Sequence, residues 1–336
     1  MKRRTFISGV GAAATSAALF GCSYISGIGK YRAKMPKGEI PRIAFGKTGI
    51  KVSRLGFGSH LNKELIAKPE YRDEMIKLGF EGGINIFDVY DHSGYKQFEP
   101  MGKSLRDFRK ETVVSLCVVK KDEEVQAEID DALNKFLTDY IDLYRLYDVN
   151  DNRVAILEKN RKAGKIRAIG VVSHDVATMM KYVDTYGSTI DFVMIVYNFH
   201  HNNGSYIIKG YPDNDYSALI PQCERMNLGI LGIKPMGSDH MIELAMKKGF
   251  FKNKQVNPAR AMLHHVFKSS EIDCTMTAMN SMGELYGNLN AAYNMNLSSQ
   301  EEQLLKKLSD TAAATKSAYL PDHYKWLENW ASNRMV

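Results

Sequence analysis

The stretch Gly83-Ile84-Asn85-Ile86-Phe87-Asp88 decides how this chain folds. It predicts a short buried strand, and the two-residue period of a strand puts Ile84, Ile86 and Asp88 on one face. A carboxylate therefore ends an apolar strand, and ionisable and aromatic side chains follow it in the loop Val89-Tyr90-Asp91-His92-Ser93-Gly94. Strand ends of this kind hold the functional groups of an α/β barrel.

Strand-like and helix-like segments alternate along the rest of the chain. The clearest helical pattern covers residues 123–137, and Gly164 is placed like a glycine that ends a helix. The alternation predicts parallel pairing, because each connection between parallel strands needs a helix. Eight units in about 250 residues favour a closed (β/α)8 TIM barrel of the α/β class over an open doubly wound sheet. The predicted strands are residues 54–58, 84–88, 112–119, 141–147, 166–172, 192–197, 229–233 and 272–278.

Other segments are predicted to flank the barrel. Two short alternating runs about a glycine-containing turn, residues 42–52, predict an N-terminal hairpin. Residues 298–316 and 321–333 predict extra C-terminal helices, packed outside the barrel or over its mouth. No GxGxxG follows the first strand, which further disfavours an open dinucleotide-binding sheet.

The N-terminus has the charged and hydrophobic regions of an export signal. Arg3-Arg4-Thr5-Phe6-Ile7 resembles the twin-arginine signal of bacteria, and Leu19-Phe20-Gly21-Cys22 resembles a lipoprotein cleavage site with Cys22 as the lipidated residue. The alternative is an ordinary signal cut nearby, with Cys22 incidental. We therefore expect an exported protein, periplasmic or anchored to a membrane by lipid. Its expected parts are a signal peptide, 1–22, a linker, 23–39, and the barrel, 40–336.

Composition narrows the range of partners. The formal net charge of +7 includes three charges from the Lys2-Arg3-Arg4 run, and the remainder is spread through mixed-sign segments. This favours a solvated surface over a nucleic-acid footprint. Cys117 and Cys274 lie in apolar strand-like runs and Cys223 lies on a helical pattern, which indicates small buried side chains. The cysteine spacing predicts neither a disulfide framework nor a metal site.

Six short segments between residues 42 and 292 carry a family signal. They are Phe45-Gly-Lys-Thr-Gly-Ile-Lys-Val-Ser-Arg-Leu-Gly-Phe-Gly58, Gly83-Ile-Asn-Ile-Phe-Asp88, Met101-Gly-Lys-Ser-Leu105, Tyr140-Ile-Asp-Leu-Tyr144, Gly164-Lys-Ile-Arg-Ala-Ile-Gly170 and Lys234-Pro-Met-Gly237. In this order they resemble the aldo-keto reductase family. The resemblance implies hydride transfer from NADPH to a carbonyl. It also implies a Tyr that donates the proton, a Lys that lowers its pKa, an Asp that holds the Lys and a His that orients the carbonyl.

The resemblance maps these four roles onto this chain only in part. Asp88 matches the family Asp. The Tyr position falls on His92 or Ser93, the Lys position falls on Val118, and the His position falls on Tyr147. One of the four residues is retained, so the site is degenerate and the standard mechanism of the family does not follow from the resemblance.

Strand parity suggests which neighbouring residues could rebuild the site. We expect Lys120 on the same inward face as Val118, nearer the mouth, and Arg145 on the same inward face as Tyr147, one pleat deeper. A buried Arg needs a partner, and Asp88 is the natural candidate. Our hypothesis is that an Asp88–Arg145 pair replaces the missing Asp–Lys pair, with His92 or Tyr147 as proton donor. The alternative is a structural ion pair that fills the barrel mouth.

The resemblance also implies a nicotinamide site. Ser173 and His174 occupy the Ser/Thr-Asn pair that holds the nicotinamide amide, while the Gln position falls on Met194. Asn198 and Lys234 follow the next two strands, where they could line the mouth and meet a ligand, or belong to a polar loop and a helix-end contact.

A second segment resembles the part of the family that holds the adenosine 2′-phosphate. Within residues 280–288, Ser281 and Asn288 match, but the family Arg falls on Glu284. A carboxylate repels a phosphate and suits a ribose hydroxyl, which favours NAD(H) over NADP(H). The alternative is a helix that binds no ligand.

These patterns predict two functions. The first is an exported, lipid-anchored oxidoreductase that acts on a small carbonyl or alcohol, sugar-like in chemistry, with a tightly held NAD(H). The second is a catalytically inactive barrel without a cofactor, kept as a ligand-binding subunit or as the partner of another protein in a complex. A tightly bound nicotinamide would distinguish the first from the second.

Overall fold

The structure is a computed structural model that describes residues 31–58, 61–91, 96–118, 120–200, 216–237, 240–252 and 256–315. The chain divides into two compact units, of which the first ends at Met35 and the second starts at Pro36. The second unit opens with an antiparallel pair, β1 (Arg42–Ala44) and β2 (Lys51–Ser53), joined through a 3-10 turn at Gly46–Thr48. The hairpin predicted for residues 42–52 is therefore present.

Eight parallel strands close into a barrel, which confirms the predicted fold. Their order around the cylinder follows the chain, and the last strand pairs with the first. The first and last residues of each strand lie within two residues of the predicted bounds. The strands are β3 (Leu55–Gly58), β4 (Ile86–Val89), β5 (Val113–Val118), β6 (Ile141–Leu146), β7 (Ile166–Val172), β8 (Phe192–Val196), β9 (Gly229–Ile233) and β10 (Cys274–Thr277).

Helices cover the outside of the barrel, as parallel strands require. Those of the described residues are α1 (Lys63–Ala67), α2 (Pro69–Glu81), α3 (Phe98–Leu105), α4 (Val125–Phe136), α5 (Asp151–Lys162), α6 (Val176–Tyr186), α7 (Leu219–Arg225), α8 (His240–Lys247), α9 (Pro258–Lys268), α10 (Met282–Tyr293) and α11 (Ser299–Thr315). The helices predicted for residues 123–137 and 298–316 correspond to α4 and α11. The segment 321–333 lies outside the described residues.

The amino-terminal end of the barrel is closed by a buried charge network. Asp142, at the start of β6, forms an ion pair with Arg109 Nη1 at 2.9 Å and accepts from Arg167 Nη1 at 2.6 Å and from the backbone N of Val114 at 3.0 Å. The Arg109 guanidinium also lies 4.7 Å from the centre of the Tyr140 ring. In barrels of this kind, this end serves stability and the opposite end serves function.

Gly58 lets β3 approach the residue that ends β4. Its φ of +128° lies in a region that side chains rarely adopt, and a Cβ atom there would lie 2.1 Å from the backbone O of Asp88. The close approach brings the end of β3 against Asp88 at the carboxyl-terminal end of the barrel.

Candidate active site

A buried ion pair joins β4 to β6 inside the barrel. Arg145 Nη2 donates to Asp88 Oδ2 at 3.0 Å, and Arg145 Nη1 donates to Asp88 Oδ1 and, at 2.9 Å, to Ser115 Oγ of β5. Both charged side chains are almost fully buried. Burial opposes the charge of Arg145, but the Asp88 carboxylate, together with Cys117 and Tyr90, raises the pKa of the guanidinium above its ordinary value. The pair predicted from strand parity is therefore present, and its part in catalysis stays a prediction.

The predicted inward face of β5 is wrong by one residue. Ser115 faces the interior because its hydroxyl accepts from Arg145, so Cys117, two residues along, shares that face and Val118 does not. The register agrees, since Cys117 lies beside Arg145. Burial raises the pKa of the Cys117 thiol to about 12, so it stays protonated. The interior of β5 thus carries a hydroxyl and a neutral thiol where the family resemblance expects a lysine.

Lys120 lies beyond the end of β5 and is not part of the inward face. Its side chain is partly exposed, and its backbone carbonyl accepts from Arg153 Nη2 at 3.0 Å. Arg153 also binds Asp122, through Nε at 2.5 Å. These hydrogen bonds fix the loop after β5. A catalytic role for Lys120 stays a prediction, and the hydrogen bonds of this loop do not connect Lys120 to the Asp88–Arg145 pair.

Tyr147 and His174 meet at the mouth of the barrel. Tyr147 follows β6, His174 follows β7, and the two are neighbours because these strands pair. The Tyr147 hydroxyl lies 3.4 Å from His174 Nδ1, and the ring centres lie 6.2 Å apart. Both residues are buried. A phenol in contact with an imidazole can pass or share a proton, which is the chemistry that a general acid requires.

His174 is electrically neutral in this position. Burial and the nearby Lys234 ammonium both disfavour the imidazolium form, and together they lower the pKa of His174 well below its ordinary value. His174 therefore acts as a hydrogen-bonding group at neutral pH, and it does not act as a cation.

Lys234 is held in an unusual backbone conformation just after β9. Its φ is +57°, in the left-handed region, which is uncommon for a residue other than glycine. The Lys234 carbonyl accepts from Asn198 Nδ2 at 3.3 Å and from the backbone N of Gly237 at 3.0 Å. Asn198 Oδ1 accepts from His200 N at 3.0 Å. Asn198 thus joins the loops after β8 and β9 and fixes the position of Lys234.

Ser173 contributes a hydroxyl to the same rim. Its Oγ accepts from the backbone N of Asp175 at 3.0 Å, which leaves the hydroxyl hydrogen able to donate to a ligand. Asp175 in turn caps α6 by accepting from Thr178 N at 2.7 Å. The residues after β7 therefore form a fixed turn between the strand and its helix.

The loop after β4 is anchored at both ends. Asp91 Oδ1 accepts from the backbone N of Phe98 at 2.9 Å, at the start of α3. Gln97 receives a hydrogen bond from Leu61 N at 2.6 Å and donates to the Tyr90 carbonyl at 2.7 Å. His92 and Ser93, the residues predicted at the family Tyr position, lie outside the described residues.

The segment predicted to contact the adenosine forms the start of helix α10, and its first turn contains the carboxylate of Glu284. Ser281 caps α10 by accepting from Glu284 N at 3.2 Å, and Glu284 Oε2 accepts from Asn280 N at 2.8 Å. This is a variant of the capping box, in which Ser281 binds the backbone of Glu284 while Glu284 binds the backbone of Asn280, the residue before the cap, and the Ser281 hydroxyl at 3.2 Å. Met282 N donates to the Tyr71 hydroxyl at 2.8 Å, and Asn288 lies on the buried face of α10.

Sequence reasoning missed Ser115, Cys117 and Tyr71. Every residue of β5 is buried, so its apolar run shows no alternation from which the inward face could be assigned. The register opposite Asp88 would have identified Ser115, but register follows from the closed barrel. Tyr71 lies far from α10 in the chain, and no local pattern marks their contact.

Comparisons with known proteins agree with this architecture. A model of the Aldo/keto reductase family matches residues 54–247. L-galactose dehydrogenase of Arabidopsis thaliana is 21% identical over 316 residues, covering 83% of this chain and 96% of that protein. A solved aldo-keto reductase from Klebsiella pneumoniae, in complex with NADPH, is 20% identical with a TM-score of 0.63 and covers 80% of this chain and 95% of its own. The holo form of an aldo-keto reductase from Bacillus halodurans is 18% identical with a TM-score of 0.63, and the match covers 85% of this chain and 99% of that protein.

The ion pair yields a stability prediction. Asp88→Asn leaves the Arg145 charge buried without its partner, so the free energy of unfolding should fall by roughly 3–5 kcal/mol in urea denaturation. Adding Arg145→Met removes the remaining charge and should recover part of the loss.

The matched control is Asp130→Asn. Asp130 pairs with Lys165 at 2.7 Å, but the two side chains are 47% and 40% exposed. That change should cost less than about 1 kcal/mol. Equal losses for Asp88→Asn and Asp130→Asn would show that the buried pair does not constrain the barrel.

Proposed function

Because this chain belongs to the aldo/keto reductase family of NAD(P)-dependent oxidoreductases, we propose that it transfers hydride between a nicotinamide cofactor and the carbonyl or alcohol group of a small, sugar-like substrate. The observation that carries this proposal is the placement of the Tyr147 hydroxyl. It lies at the carboxyl-terminal end of the barrel, in contact with His174, above the Asp88–Arg145 pair. Barrel enzymes assemble their catalytic groups at this end.

The residues of the rim fit a nicotinamide dinucleotide. The Ser173 hydroxyl can donate to the nicotinamide carboxamide, and Lys234 offers a cation to the phosphates from the end of β9. At the other end, the exposed Glu284 carboxylate can accept from a ribose hydroxyl. When bound, the cofactor supplies or accepts the hydride. His174, Asn198, Ser281 and Asn288 stay predicted members of this site, and the hydrogen bonds of Asn198 and Ser281 support positioning roles for these two.

Tyr147 is the proposed proton donor. Hydride addition to a carbonyl builds negative charge on its oxygen, so the site needs an acid and fixed donors around that oxygen. Tyr147 supplies an O–H at the rim, and His174 is a neutral imidazole beside it. His92 is the second candidate from the sequence and lies outside the described residues.

An uncharged polyol is the proposed class of substrate. The Asp88–Arg145 pair has no net charge, and His174 and Cys117 are neutral, so the inward face offers hydrogen-bonding groups without a surplus of one sign. A substrate with many hydroxyl groups suits such a face better than an acid does. L-galactose dehydrogenase, whose name describes a sugar substrate, aligns over 96% of its length with this chain, which supports the same class.

Tyr147→Phe should lower kcat by about 10²–10⁴-fold, because it removes the proton donor and keeps the ring. The assay follows reduced-nicotinamide absorbance with the purified chain and a panel of aldoses, ketoses and simple carbonyls. Tyr140→Phe is the matched control, since Tyr140 precedes β6 at the opposite end of the barrel, and it should keep normal turnover.

Two outcomes would contradict this assignment. Full activity of the Tyr147→Phe variant would exclude Tyr147 as the donor and favour His92. A wild-type chain that lacks bound nicotinamide by mass spectrometry and turns over none of the panel would instead be a non-catalytic barrel, which acts through ligand or protein binding.

We also propose a preference for NAD(H) over NADP(H). The start of α10 is occupied by the Glu284 carboxylate, which accepts from Asn280 N where a phosphate would otherwise bind. A 2′-phosphate brought to this place would meet a like charge.

The preference can be measured by titration calorimetry. NADH should bind at least about tenfold more tightly than NADPH. Glu284→Gln should reduce the difference, because glutamine keeps the capping box and removes the charge. Glu302→Gln on α11, where Glu302 pairs with Lys268 at 2.7 Å, controls for the loss of a surface carboxylate. Tighter binding of NADPH by the wild-type chain would reverse the assignment.

Export and lipidation on Cys22 complete the proposed function. The twin-arginine route carries folded proteins, so a cofactor bound in the cytoplasm could leave with the chain. Cys22 and the signal lie outside the described residues. In the part of the chain that the structure describes, no helix combines the length and hydropathy that crossing a bilayer demands.

Cys22→Ser should move the mature protein from the detergent phase to the aqueous phase of a detergent phase-separation experiment, because it removes the acyl anchor. Cys223→Ser, a change at a buried cysteine of α7, is the control and should leave the partition unchanged. A wild-type protein found wholly in the aqueous phase would contradict lipidation.

A further inference from the structure

The rim carries a three-residue cluster drawn from three strand ends. Tyr147 follows β6, His174 follows β7, and Lys234 follows β9. Tyr147 and His174 are in contact, and the Lys234 ammonium lies close enough to lower the pKa of His174. The Asp88–Arg145 pair joins β4 to β6, so it shares only β6 with this cluster.

We propose that His174, after β7, and Lys234, after β9, are the positioning residues that make the Tyr147 hydroxyl more acidic. The Asp88–Arg145 pair takes no part in this effect. The proposal rests on the proposed function above, since it concerns the proton step of that reaction. It assigns to His174 and Lys234 a role in addition to holding the cofactor.

The proposed step transfers one hydride to the carbonyl carbon and one proton to the carbonyl oxygen. As the carbonyl carbon receives a hydride from a dihydronicotinamide, its oxygen becomes an alkoxide and takes the proton from the Tyr147 hydroxyl. The O–H electron pair stays on Tyr147, which is left as a phenolate. His174, with its proton on Nδ1, then donates to this phenolate oxygen. Water returns the proton to Tyr147 after the alcohol leaves.

The contact geometry suits this role. The separation of 3.4 Å between the Tyr147 oxygen and His174 Nδ1 is long for a hydrogen bond between neutral groups. Hydrogen bonds to an ionised oxygen are shorter and about twice as strong. The contact should therefore tighten when the phenolate forms, and it favours the state that follows proton donation over the state that precedes it.

Lys234 supplies the positive charge that the inward face of β5 lacks. Ser115 and Cys117 occupy that face, and Arg145 is closed upon Asp88 through both Nη atoms. A cation near a phenol favours the phenolate through space, even without direct contact. Asn198 and Gly237 hold the backbone carbonyl of Lys234, so the charge is carried by a fixed strand end.

Two described residues act on His174 from other strand ends. Tyr147 contacts it from β6, and the Lys234 charge acts on it from β9. Asp175, the next residue in the chain, directs its carboxylate to Thr178 N at the start of α6. Burial and Lys234 keep His174 neutral. A neutral His174 can donate a hydrogen bond to the Tyr147 phenolate, whereas an imidazolium could transfer its own proton to the substrate first.

The test measures Tyr147 ionisation without catalysis. Ultraviolet absorbance of phenolate is followed against pH for each protein and for its Tyr147→Phe counterpart, and the difference isolates Tyr147. Lys234→Met should move this ionisation to higher pH by about 1–2 units, because the stabilising cation is lost. His174→Phe should move it in the same direction. Lys234→Arg keeps the charge and should restore the wild-type curve.

Lys165→Met is the control, since Lys165 immediately precedes β7 at the opposite end of the barrel, and it should leave the Tyr147 curve unchanged. The pH dependence of alcohol oxidation should follow the same order, with the midpoint of its rise displaced upward in Lys234→Met and restored in Lys234→Arg.

The outcomes separate the two proposals. A Tyr147 ionisation that is the same in wild type, Lys234→Met and His174→Phe overturns the inference, whatever the activity. An ionisation that moves as expected in a chain with no turnover supports the cluster and contradicts the proposed reaction. A displaced ionisation with a pH profile that does not move would show that Tyr147 is tuned but does not donate, which also overturns the inference.

Discussion

The buried ion pair between Asp88 and Arg145 is the interaction on which the interior of the barrel depends. Three consecutive strands meet in it, because Ser115 of β5 accepts from the same guanidinium. Two charges are tolerated at this depth only when they satisfy each other with good geometry, and the bidentate contact meets that condition. The same closeness cancels their charges. The pair therefore fixes the relative position of β4, β5 and β6 and leaves little electric field at the mouth.

Strand β6 carries the charge networks of both ends of the barrel. Asp142, near its start, binds Arg109 and Arg167 on the helix side, whereas Arg145 points inward to Asp88. The three-residue separation puts the two side chains on opposite faces, as the strand period requires. One strand thus anchors the outer layer at the closed end and the interior at the open end. Tyr147 directly follows β6, so the position of its backbone at the rim is set by the same anchored strand.

The sequence predicted the barrel well, because eight apolar runs alternate with helical patterns and each crossover needs a helix. It also predicted the Asp88–Arg145 contact, since the spacing from Tyr147 placed an arginine where only a carboxylate could accompany it. It failed for Val118 and Lys120, because a strand buried on both faces shows no alternation. The contact between Tyr147 and His174 joins two strand ends, and its distance depends on closure of the cylinder. Such contacts between strand ends have no local pattern.

The backbone of Lys234 argues that its side chain has a use. A left-handed conformation costs a residue with a Cβ atom about 1 kcal/mol or more, and glycine would adopt it without that cost. Here the conformation is held by Asn198 and Gly237, both of which bond the Lys234 carbonyl. Strain that is maintained by buried partners is common at functional sites, where it places a group that could not otherwise reach. The group placed in this case is an ammonium whose charge acts on the neutral His174 imidazole, at the carboxyl-terminal end of the barrel.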